Sequence, residues 1–402
     1  MSNKTKEEVN KNLIARNVEE IIRKESLIKR LKSKKTLRIK HGVDPTGPNI
    51  HIGRAIQFWK LKDFQDAGHK IVLIIGDFTA QIGDASDKKA MRRALSEKEV
   101  KENMKNYTKQ IGKILDMSRV EIHHNSEWLG RLSAKELIKI SMSFTAQQLI
   151  QRRNFKERWD SEKPIGLHEL DYPLLQGYDS MAIKADVEVG GTDQLFNLIA
   201  GRKVQEIYGQ KPQDVITLKM LHGLDGRKMS TSWGNIITIN DKPTEMYGKI
   251  MSMKDELIPE YFALCTKKPT EEIREIEKLL KNKKVNPRDL KKALAKEIII
   301  LYYDKKSAQK AEREFEKVFK EKKPPSKVPE IKIQKKEIPI LDLLTETKLT
   351  SSKGEARRLI KQKGVKIDGE TQDNWKKIIK IEKPITIRAG KRKYLRVSFS
   401  DR

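Results

Sequence analysis

Hydrophobic and polar positions along the chain first predict an exposed helix near the N-terminus. Between residues 6 and 33, apolar side chains stand among charged ones at helical spacing, which is typical of an amphipathic helix packed outside a core. Short apolar runs at residues 37–40, 71–77 and 185–189 then predict strands. The second of these runs has the uninterrupted character of a parallel strand that is covered by helices on both faces.

Turns rich in glycine follow the predicted strands. A Gly/Pro-rich turn after the first strand leads into a helix that opens near His51, and the third strand ends in residues 190–194 before another helix. Strands alternating with helices indicate an open α/β fold with a Rossmann-like parallel sheet, whose ligands bind at the carboxyl ends of the strands. We therefore expect both turns to lie at a ligand site.

Composition divides the rest of the chain into further domains. We predict a catalytic domain over residues 1–240, with a mostly helical insertion at about 96–165, and a charged α-helical domain over 241–320. The proline-rich residues 321–336 are typical of a linker. A small basic α+β unit over 337–402 completes the chain, and residues 321–402 hold 23 Lys and Arg against 11 Asp and Glu.

Charge and cysteine content narrow the class of protein. The net charge of +29 favours polyanionic partners such as nucleic acid, nucleotides or an anionic membrane surface, although a Lys-rich solubilising surface would give the same excess. Cys265 is the only cysteine, so neither an intrachain disulfide nor a cysteine metal cluster can form. With no apolar segment of signal-peptide or membrane-spanning length, we expect a cytoplasmic protein that does not bind to membranes.

Two short motifs carry candidate phosphate chemistry. His51-Ile52-Gly53-Arg54 stands at a strand-to-helix junction, where backbone N–H groups attract phosphate. Residues 228–232, Lys-Met-Ser-Thr-Ser, follow much later in a Gly/Asp-rich loop and could hold a leaving pyrophosphate. Alone, His51 is more simply a helix cap or a buried polar group, and residues 228–232 a solvated loop. Both motifs in this order favour nucleotide chemistry.

Four further motifs stand at residues 42–46, 75–84, 172–179 and 190–194, in the same order as in a known enzyme family. With the two phosphate motifs, they make the sequence resemble the class I aminoacyl-tRNA synthetases, and specifically the bacterial tyrosyl enzymes, from about residue 37 to 240. In the tail, residues 352–360 and 364–369 resemble an S4-type RNA-binding domain. The resemblance implies an enzyme that joins L-tyrosine to ATP, forming tyrosyl-adenylate and pyrophosphate, and then transfers tyrosine to the 3′ end of tRNA(Tyr).

The same resemblance implies partners and roles. It suggests a homodimer paired through the helical insertion, and Mg²⁺ that arrives with ATP rather than in a dedicated protein metal site. It assigns the leaving phosphates to Thr46, His51, Lys88, Arg92, Lys228 and Ser232. It implies that the rest of ATP is bound by Asp44, Gly53, Arg54, Gly191, Asp193 and Met229, together with Lys228.

The resemblance also implies a tyrosine pocket that is formed by residues from several segments. They are Lys40, Asp84, Tyr172, Gln176, Asp179 and Gln194. Because Tyr172, Gln176 and Asp179 are spaced at i, i+4 and i+7, one face of a helix would direct all three into a single pocket. We expect Asp179 to accept the phenolic hydroxyl. A basic group in the tail would contact RNA phosphates: Lys353, Arg357, Arg358, Lys361 and Lys363.

Three positions depart from the family pattern. Arg54 stands where a second histidine is common, Thr231 where a lysine is common, and Lys40 where many members present a tyrosine hydroxyl. The alternatives to a tyrosyl enzyme are the related tryptophanyl enzyme, a small adenylyltransferase with a similar histidine loop, and an RNA-binding protein built on an inactive synthetase body.

Overall fold

A six-stranded sheet forms the centre of the first of two compact units. The computed structural model describes residues 6–33, 35–85, 95–230, 233–319, 328–390 and 393–400, and the units are Met1–Asp304 and Lys305–Arg402. The strands are β1 Val18–Ile22, β2 Arg38–Val43, β3 Lys70–Ile75, β4 Val120–His124, β5 Val187–Gly191 and β6 Asp214–Leu218.

The spatial order of this sheet is β1-β6-β5-β2-β3-β4. Every neighbouring pair is parallel except β1 with β6. In the middle, Ile39 of β2 pairs with Ile71 of β3 on one side and with Val187 of β5 on the other. These strands are buried on both faces, which explains their apolar runs. The predicted Rossmann-like parallel sheet is confirmed.

Helices cover this sheet and extend the first unit. They are α1 Lys6–Ala15, α2 Lys24–Lys32, α3 Ile52–Asp66, α4 Thr79–Ile82, α5 Glu97–Met104, α6 Tyr107–Ile111, α7 Ser126–Leu129, α8 Ala134–Ser141, α9 Ala146–Ile150, α10 Arg153–Asp160, α11 Leu167–Ala182, α12 Leu195–Ile207, α13 Pro243–Ser252, α14 Ile258–Cys265, α15 Thr270–Lys281 and α16 Pro287–Tyr302. Short 3₁₀ turns span Met117–Arg119, Thr192–Gln194 and Asp255–Leu257. No helix among the described residues is long and apolar enough to cross a membrane.

Two predictions about the first unit need correction. Residues 6–33 are not one helix, because Asn17 and Arg23 adopt positive φ angles of 59° and 67° on either side of β1. The edge strand β1 is held by its distant partner β6. The insertion is mostly helical, but it also contains β4, a sheet strand whose polar sequence did not reveal it.

The second unit begins with α17 Lys305–Phe319 and continues into a small α+β arrangement. Its elements are β7 Glu330–Ile333, β8 Glu337–Pro339, α18 Ile340–Glu346, α19 Lys353–Lys361, β9 Val365–Ile367, β10 Glu370–Gln372, β11 Ile378–Lys380, β12 Ile385–Ala389 and β13 Lys393–Phe399. A five-stranded sheet runs β10-β9-β12-β13-β7, and β11 pairs with β8. A buried cluster that includes Leu343, Ile360 and Ile387 forms its core.

The two compact units do not follow the predicted domain boundaries, which stay a prediction. Helix α17 belongs to the second compact unit, whereas the sequence placed it at the end of the helical domain. Of the predicted linker at 321–336, residues 321–327 lie outside the described residues, and β7 occupies 330–333. Strand β7 is held by parallel pairing with β13 near the end of the chain, a contact that local composition does not reveal.

Candidate functional site

A cavity of about 320 Å³ opens at the carboxyl ends of the central strands. Each of the motifs in the first unit contributes to its lining. The predicted residues that line it are Asp44, Thr46, His51, Gly53, Arg54, Asp84, Tyr172, Gln176, Asp179, Gly191, Asp193, Gln194, Lys228 and Met229. Residues far apart in sequence thus share one enclosed space.

One wall of the cavity is organised around Asp44, the residue after β2. Its Oδ2 accepts a hydrogen bond from the Tyr172 hydroxyl at 2.9 Å, and its Oδ1 accepts one from Thr79 Oγ1 at 2.8 Å. Burial beside Asp44 raises the pKa of Tyr172 well above its usual value, so this phenol stays protonated and donates. Thr79 in turn accepts from Asn125 Nδ2 at 3.0 Å.

The same hydrogen-bond chain reaches Asp179, which is buried at the end of the cavity. Asp179 accepts from Trp128 Nε1 at 2.8 Å and from Asn125 Nδ2 at 3.3 Å. Burial raises its pKa to about 7, opposed by the charge of Lys40 and by these two donors, while the charge of Glu188 adds slightly to the rise. Near neutral pH this carboxyl group is therefore partly protonated, and a shifted pKa of this kind is common at functional sites.

A second wall is formed by side-chain amides. Asn197 Nδ2 donates to Gln176 Oε1 at 3.0 Å and to Gln194 Oε1 at 3.1 Å. Gln194 Nε2 donates to Asp84 Oδ2 at 2.6 Å, and Arg152 lies 3.9 Å from the other oxygen of Asp84. These contacts fix the amides and the Asp84 carboxylate in one orientation, and they offer a cationic group of a ligand an oxygen-rich surface.

His51 both caps a helix and lines the cavity. Its Nδ1 accepts the backbone N–H of Arg54 at 3.2 Å at the start of α3. Burial, with the nearby charges of Arg54 and Lys228, lowers the pKa of His51 to about 3. At neutral pH the ring is therefore neutral, and because Nδ1 accepts, Nε2 carries the hydrogen that can be donated to a ligand.

The guanidinium of Arg54 is held across the turn that follows β2. It donates to Thr46 Oγ1 at 3.1 Å, to the Asp44 carbonyl at 3.3 Å and to the Tyr107 hydroxyl at 3.1 Å. Arg54 therefore stabilises the turn while its cation remains at the cavity wall.

The second phosphate motif packs directly on the first. A Cβ atom built on Gly53 would lie 3.1 Å from Met229 Sδ and 3.1 Å from His51 Nδ1, so glycine permits this approach. The backbone N–H of Ile52 also donates to the Ile237 carbonyl at 2.9 Å. Lys228 Nζ lies 3.3 Å from Asp193 Oδ2. A lysine, a neutral histidine and an aspartate thus lie along one side of the cavity.

The loop that carries Lys228 is organised by Asn235. This side chain accepts from the Ser230 N–H at 2.9 Å and donates to the Lys228 carbonyl at 3.1 Å and to Asp225 Oδ1 at 2.8 Å. Asn235 was not among the predicted residues, and neither were Thr79, Asn125 and Trp128. The asparagine alone carried no sequence signal, because its role depends on the folded loop.

Some predicted residues are not brought into the cavity. Lys40 does not line the cavity. Its buried ammonium packs against α11 and donates a hydrogen bond to the Gln176 carbonyl at 2.9 Å. The structure therefore does not support a direct contact of Lys40 with a ligand there. Lys88, Arg92 and Ser232 lie outside the described residues, as does Thr231.

The basic group predicted in the tail lies in the second unit. All five side chains are exposed on or just after α19: Lys353, Arg357, Arg358, Lys361 and Lys363. Two of them have local partners, because Lys353 forms an ion pair with Asp342 and the Arg357 guanidinium stacks 4.1 Å above the ring of Trp375. The group therefore combines a cationic helix face with an aromatic ring.

Comparisons with known proteins cover nearly the whole chain. Residues 32–320 match the family described as tRNA synthetases class I (W and Y), and residues 319–397 match the tyrosine–tRNA ligase SYY-like C-terminal domain. The chain is 47% identical to the tyrosine–tRNA ligase of Thermotoga maritima over 387 residues, 96% of each protein. It is 45% identical to that of Carboxydothermus hydrogenoformans over 398 residues, covering 96% of this chain and 97% of the relative.

A solved structure agrees with these relatives. The crystal structure of the tyrosyl-tRNA synthetase from Archaeoglobus fulgidus, complexed with L-tyrosine, matches with a TM-score of 0.60 at 25% identity. The match covers 76% of this chain and 99% of that one.

Gly76, at the end of β3, provides a test of the wall around Asp44. A Cβ atom there would lie 2.0 Å from Asp44 Oδ1 and 2.4 Å from Thr79 Oγ1. We expect Gly76→Ala to break the hydrogen bond between these groups and to lower the free energy of unfolding by about 1–3 kcal/mol. Urea denaturation would measure the change, and Gly47→Ala is the control, because a Cβ there meets nothing within 4 Å. Equal stability of both variants would contradict the described packing.

Proposed function

Because this chain belongs to the class I tRNA synthetases, and within them to the tyrosine–tRNA ligases, we propose that its cavity binds L-tyrosine and ATP side by side. The enzyme activates tyrosine as tyrosyl-adenylate, releases pyrophosphate, and transfers tyrosine to the 3′ end of tRNA(Tyr). One observation carries the assignment of the cavity: a buried acceptor, Asp179, lies in the same space as the phosphate motifs around His51 and Lys228.

Tyrosine would be recognised at both of its ends. Asp179 accepts the phenolic hydroxyl, while Trp128 and Asn125 hold the carboxylate in place. Phenylalanine lacks this hydroxyl and would leave the buried carboxylate without its third donor, which is unfavourable.

The α-amino end of the substrate would lie among polar groups of the second wall. Asp84, with the Tyr172 hydroxyl and the Gln176 amide, receives the ammonium group. Gln194, which is oriented by Asn197, lies on the side of the substrate carboxylate. Since two hydrogen bonds fix the Gln194 amide, its orientation is set before substrate arrives.

Activation requires no nucleophilic side chain. The tyrosine carboxylate attacks the α-phosphorus of ATP, pyrophosphate leaves, and the enzyme positions both reactants and stabilises the charge that develops on phosphate oxygens. Donors for these oxygens come from three groups: the Nε2–H of the neutral His51 ring, the hydroxyl of Thr46 and the ammonium of Lys228. Arg54 donates a hydrogen bond to the Thr46 hydroxyl and so holds this side chain in place.

The remaining contacts to ATP follow the resemblance. Gly191 and Asp193 would bind the ribose, and Gly53 with Met229 would lie against the adenine. Lys88, Arg92 and Ser232 would complete the pyrophosphate contacts. Mg²⁺ would enter with ATP as part of the substrate, because it usually keeps waters and phosphate oxygens as ligands.

We further propose that the second unit holds tRNA through the exposed basic side chains around α19. Lysine and arginine bind phosphates without reading sequence, and the arginine-stacked ring of Trp375 offers a surface for an unpaired base. The cytoplasm, where tRNA is charged, would be the site of action.

A homodimer is the proposed assembly. Large apolar side chains are exposed along the helical insertion and at the start of α11, namely Ile138, Met142, Trp159 and Leu167, with Met142 82% exposed. Exposed apolar groups of this size favour a protein interface, and a second copy of the chain would cover them.

Replacing Asp179 with asparagine tests the tyrosine site. The variant loses a charged acceptor worth about 1.5–3 kcal/mol, so kcat/KM for tyrosine in pyrophosphate exchange should fall about 10- to 150-fold. In the unchanged enzyme, kcat/KM should decline as the pH falls through about 7, because protonation removes the anionic acceptor; the variant should lack this decline. The exposed Asp160→Asn is the control.

The amino-acid specificity of exchange separates the alternatives. Stimulation by tyrosine alone among the twenty amino acids is expected, stimulation by tryptophan would favour the tryptophanyl enzyme, and no exchange would favour an inactive RNA-binding protein. If Asp179→Asn exchanges tyrosine as well as the unchanged enzyme does, the phenol assignment is wrong.

The RNA proposal predicts a separation of the two reaction steps. We expect the triple variant Arg357→Glu, Arg358→Glu, Lys361→Glu to raise KM for tRNA at least about tenfold and to keep pyrophosphate exchange, because it removes phosphate contacts and the stacking of Arg357 on Trp375, all within the second unit. Steady-state aminoacylation measures this. The control applies the same charge change to Lys332, Lys336 and Lys380 of the second unit. An equal effect of both triples would count against a specific RNA surface.

The dimer proposal is tested by mass in solution. Light scattering should give two chains for the unchanged protein and one for Met142→Glu, because a charge would be buried at the interface. Ile300→Glu, an exposed apolar position on α16, should leave the mass unchanged. A single-chain mass for the unchanged protein would refute the dimer.

A further inference from the structure

A buried ion pair lies at the wall of the proposed tyrosine pocket, where Glu188 is among the lining residues and Lys40 is not. Lys40 Nζ and Glu188 Oε1 are 2.9 Å apart, and both side chains are fully buried. The two residues face each other on neighbouring strands, since Lys40 of β2 pairs with Glu188 of β5. Removing two charges from water is costly unless every donor and acceptor is satisfied, so the remaining contacts of this pair matter.

Those contacts are complete for the lysine. Its three N–H donors have three acceptors: Glu188 Oε1, the Gln176 carbonyl at 2.9 Å and Ser180 Oγ at 2.7 Å. The glutamate is similarly surrounded, because its Oε2 accepts from Ser180 Oγ at 3.0 Å and from Gln213 Nε2. A pair satisfied in this way keeps one geometry.

The pair also contacts the residues that would hold tyrosine. Gln176 Nε2 donates to Glu188 Oε1 at 3.3 Å, so the glutamate orients the amide that faces the cavity. The two acceptors of Lys40 on α11, Gln176 and Ser180, stand on either side of Asp179 in sequence. The ammonium therefore lies against the helical turn that carries both Gln176 and Asp179.

We propose that Lys40 is a positioning residue for tyrosine: paired with Glu188 behind α11, its ammonium keeps Asp179 as an anionic acceptor and Gln176 in its substrate-binding orientation. The inference rests on the proposed function of the cavity. Lys40 acts without touching the substrate, through the helix and through its electric field.

The groups that face Asp179 come from several elements. Trp128 of α7 and Asn125 donate to it, and Lys40 and Glu188 act through their charges. Burial raises the pKa of Asp179 to about 7, and Lys40 is the largest opposing influence, whereas Glu188 is the smallest of the named contributions and acts in the other direction. Loss of the lysine should therefore raise this pKa further, even when the glutamate charge is removed with it.

A purely structural ion pair would behave differently. Removing one partner from a buried pair leaves an uncompensated charge, but removing both can restore stability. A structural role would thus be rescued in the double variant Lys40→Met, Glu188→Gln. A positioning role would not be rescued, since the cation next to α11 is still missing.

The experiment measures tyrosine-dependent pyrophosphate exchange from pH 6 to 9 in the full-length protein. For Lys40→Met we expect KM for tyrosine at pH 7 to rise at least about tenfold and KM for ATP to stay within about twofold. The acidic decline of kcat/KM for tyrosine should move up by about one pH unit or more. In the double variant thermal stability should return, and both tyrosine effects should remain.

The control is Lys60→Met. This lysine is also buried and bonds backbone carbonyls, at Leu13 and Asn12, but it is not part of the cavity lining. It should leave KM for tyrosine and the pH profile unchanged.

Each outcome decides the proposal. An unchanged KM and pH profile in Lys40→Met, or full recovery of both in the double variant, would overturn it. If Lys40→Met does not fold, the double variant is compared with Glu188→Gln alone, and the same KM for tyrosine and the same pH profile in these two variants would overturn the proposal. Absence of tyrosine-dependent exchange in the unchanged protein would instead refute the proposed function itself, and with it this inference.

Discussion

The parallel alignment of β2 between β3 and β5 is the constraint on which the rest of the site depends. Because Ile39 is in register with both Ile71 and Val187, the chain leaves all three strands at one edge of the sheet. Asp44 follows β2, Thr79 follows β3, and Gly191 ends β5. A shift of one residue in any of these strands would move its side chains to the opposite face and separate the groups that now bond one another.

The polar groups at this edge are supported by one another rather than by solvent. The chain from Tyr172 through Asp44, Thr79 and Asn125 to Asp179 links four separate segments. Buried polar networks of this kind are stable only when fully hydrogen-bonded, and they then fix a single arrangement. The structure thus places the acidic groups of the cavity before any ligand binds.

Sequence patterns predicted the site where the relevant signal was local. The spacing of Tyr172, Gln176 and Asp179 is a property of one helix, α11, and could be read without the fold. Thr79, Asn125 and Trp128 could not be found in this way, because only the sheet brings their segments to Asp179. The strands β1 and β4 were missed for a related reason: distant pairing holds them in the sheet, not a strong local pattern. Strand β6 was missed although its sequence, Asp-Val-Ile-Thr-Leu, is rich in β-branched residues and fully buried.

Lys40 illustrates the limit of motif transfer. Successive side chains of a strand point to opposite faces, and on a strand buried on both faces the sequence does not reveal which face meets the ligand. Here His41 lines the cavity and Lys40 does not. The predicted domain boundary before the tail likewise depended on composition, whereas the pairing of β7 with β13 is a property of the folded unit.

The contacts of Asn235 have a consequence for the entropy of nucleotide binding. In the described part of its loop, this one side chain bonds the backbone at Lys228 and Ser230 and the carboxylate of Asp225. A segment that is already ordered loses little conformational freedom when a ligand arrives, so more of the interaction energy appears as affinity. The described part of the loop is therefore preorganised, and the cost of ordering that part is met when the protein folds rather than in each catalytic cycle.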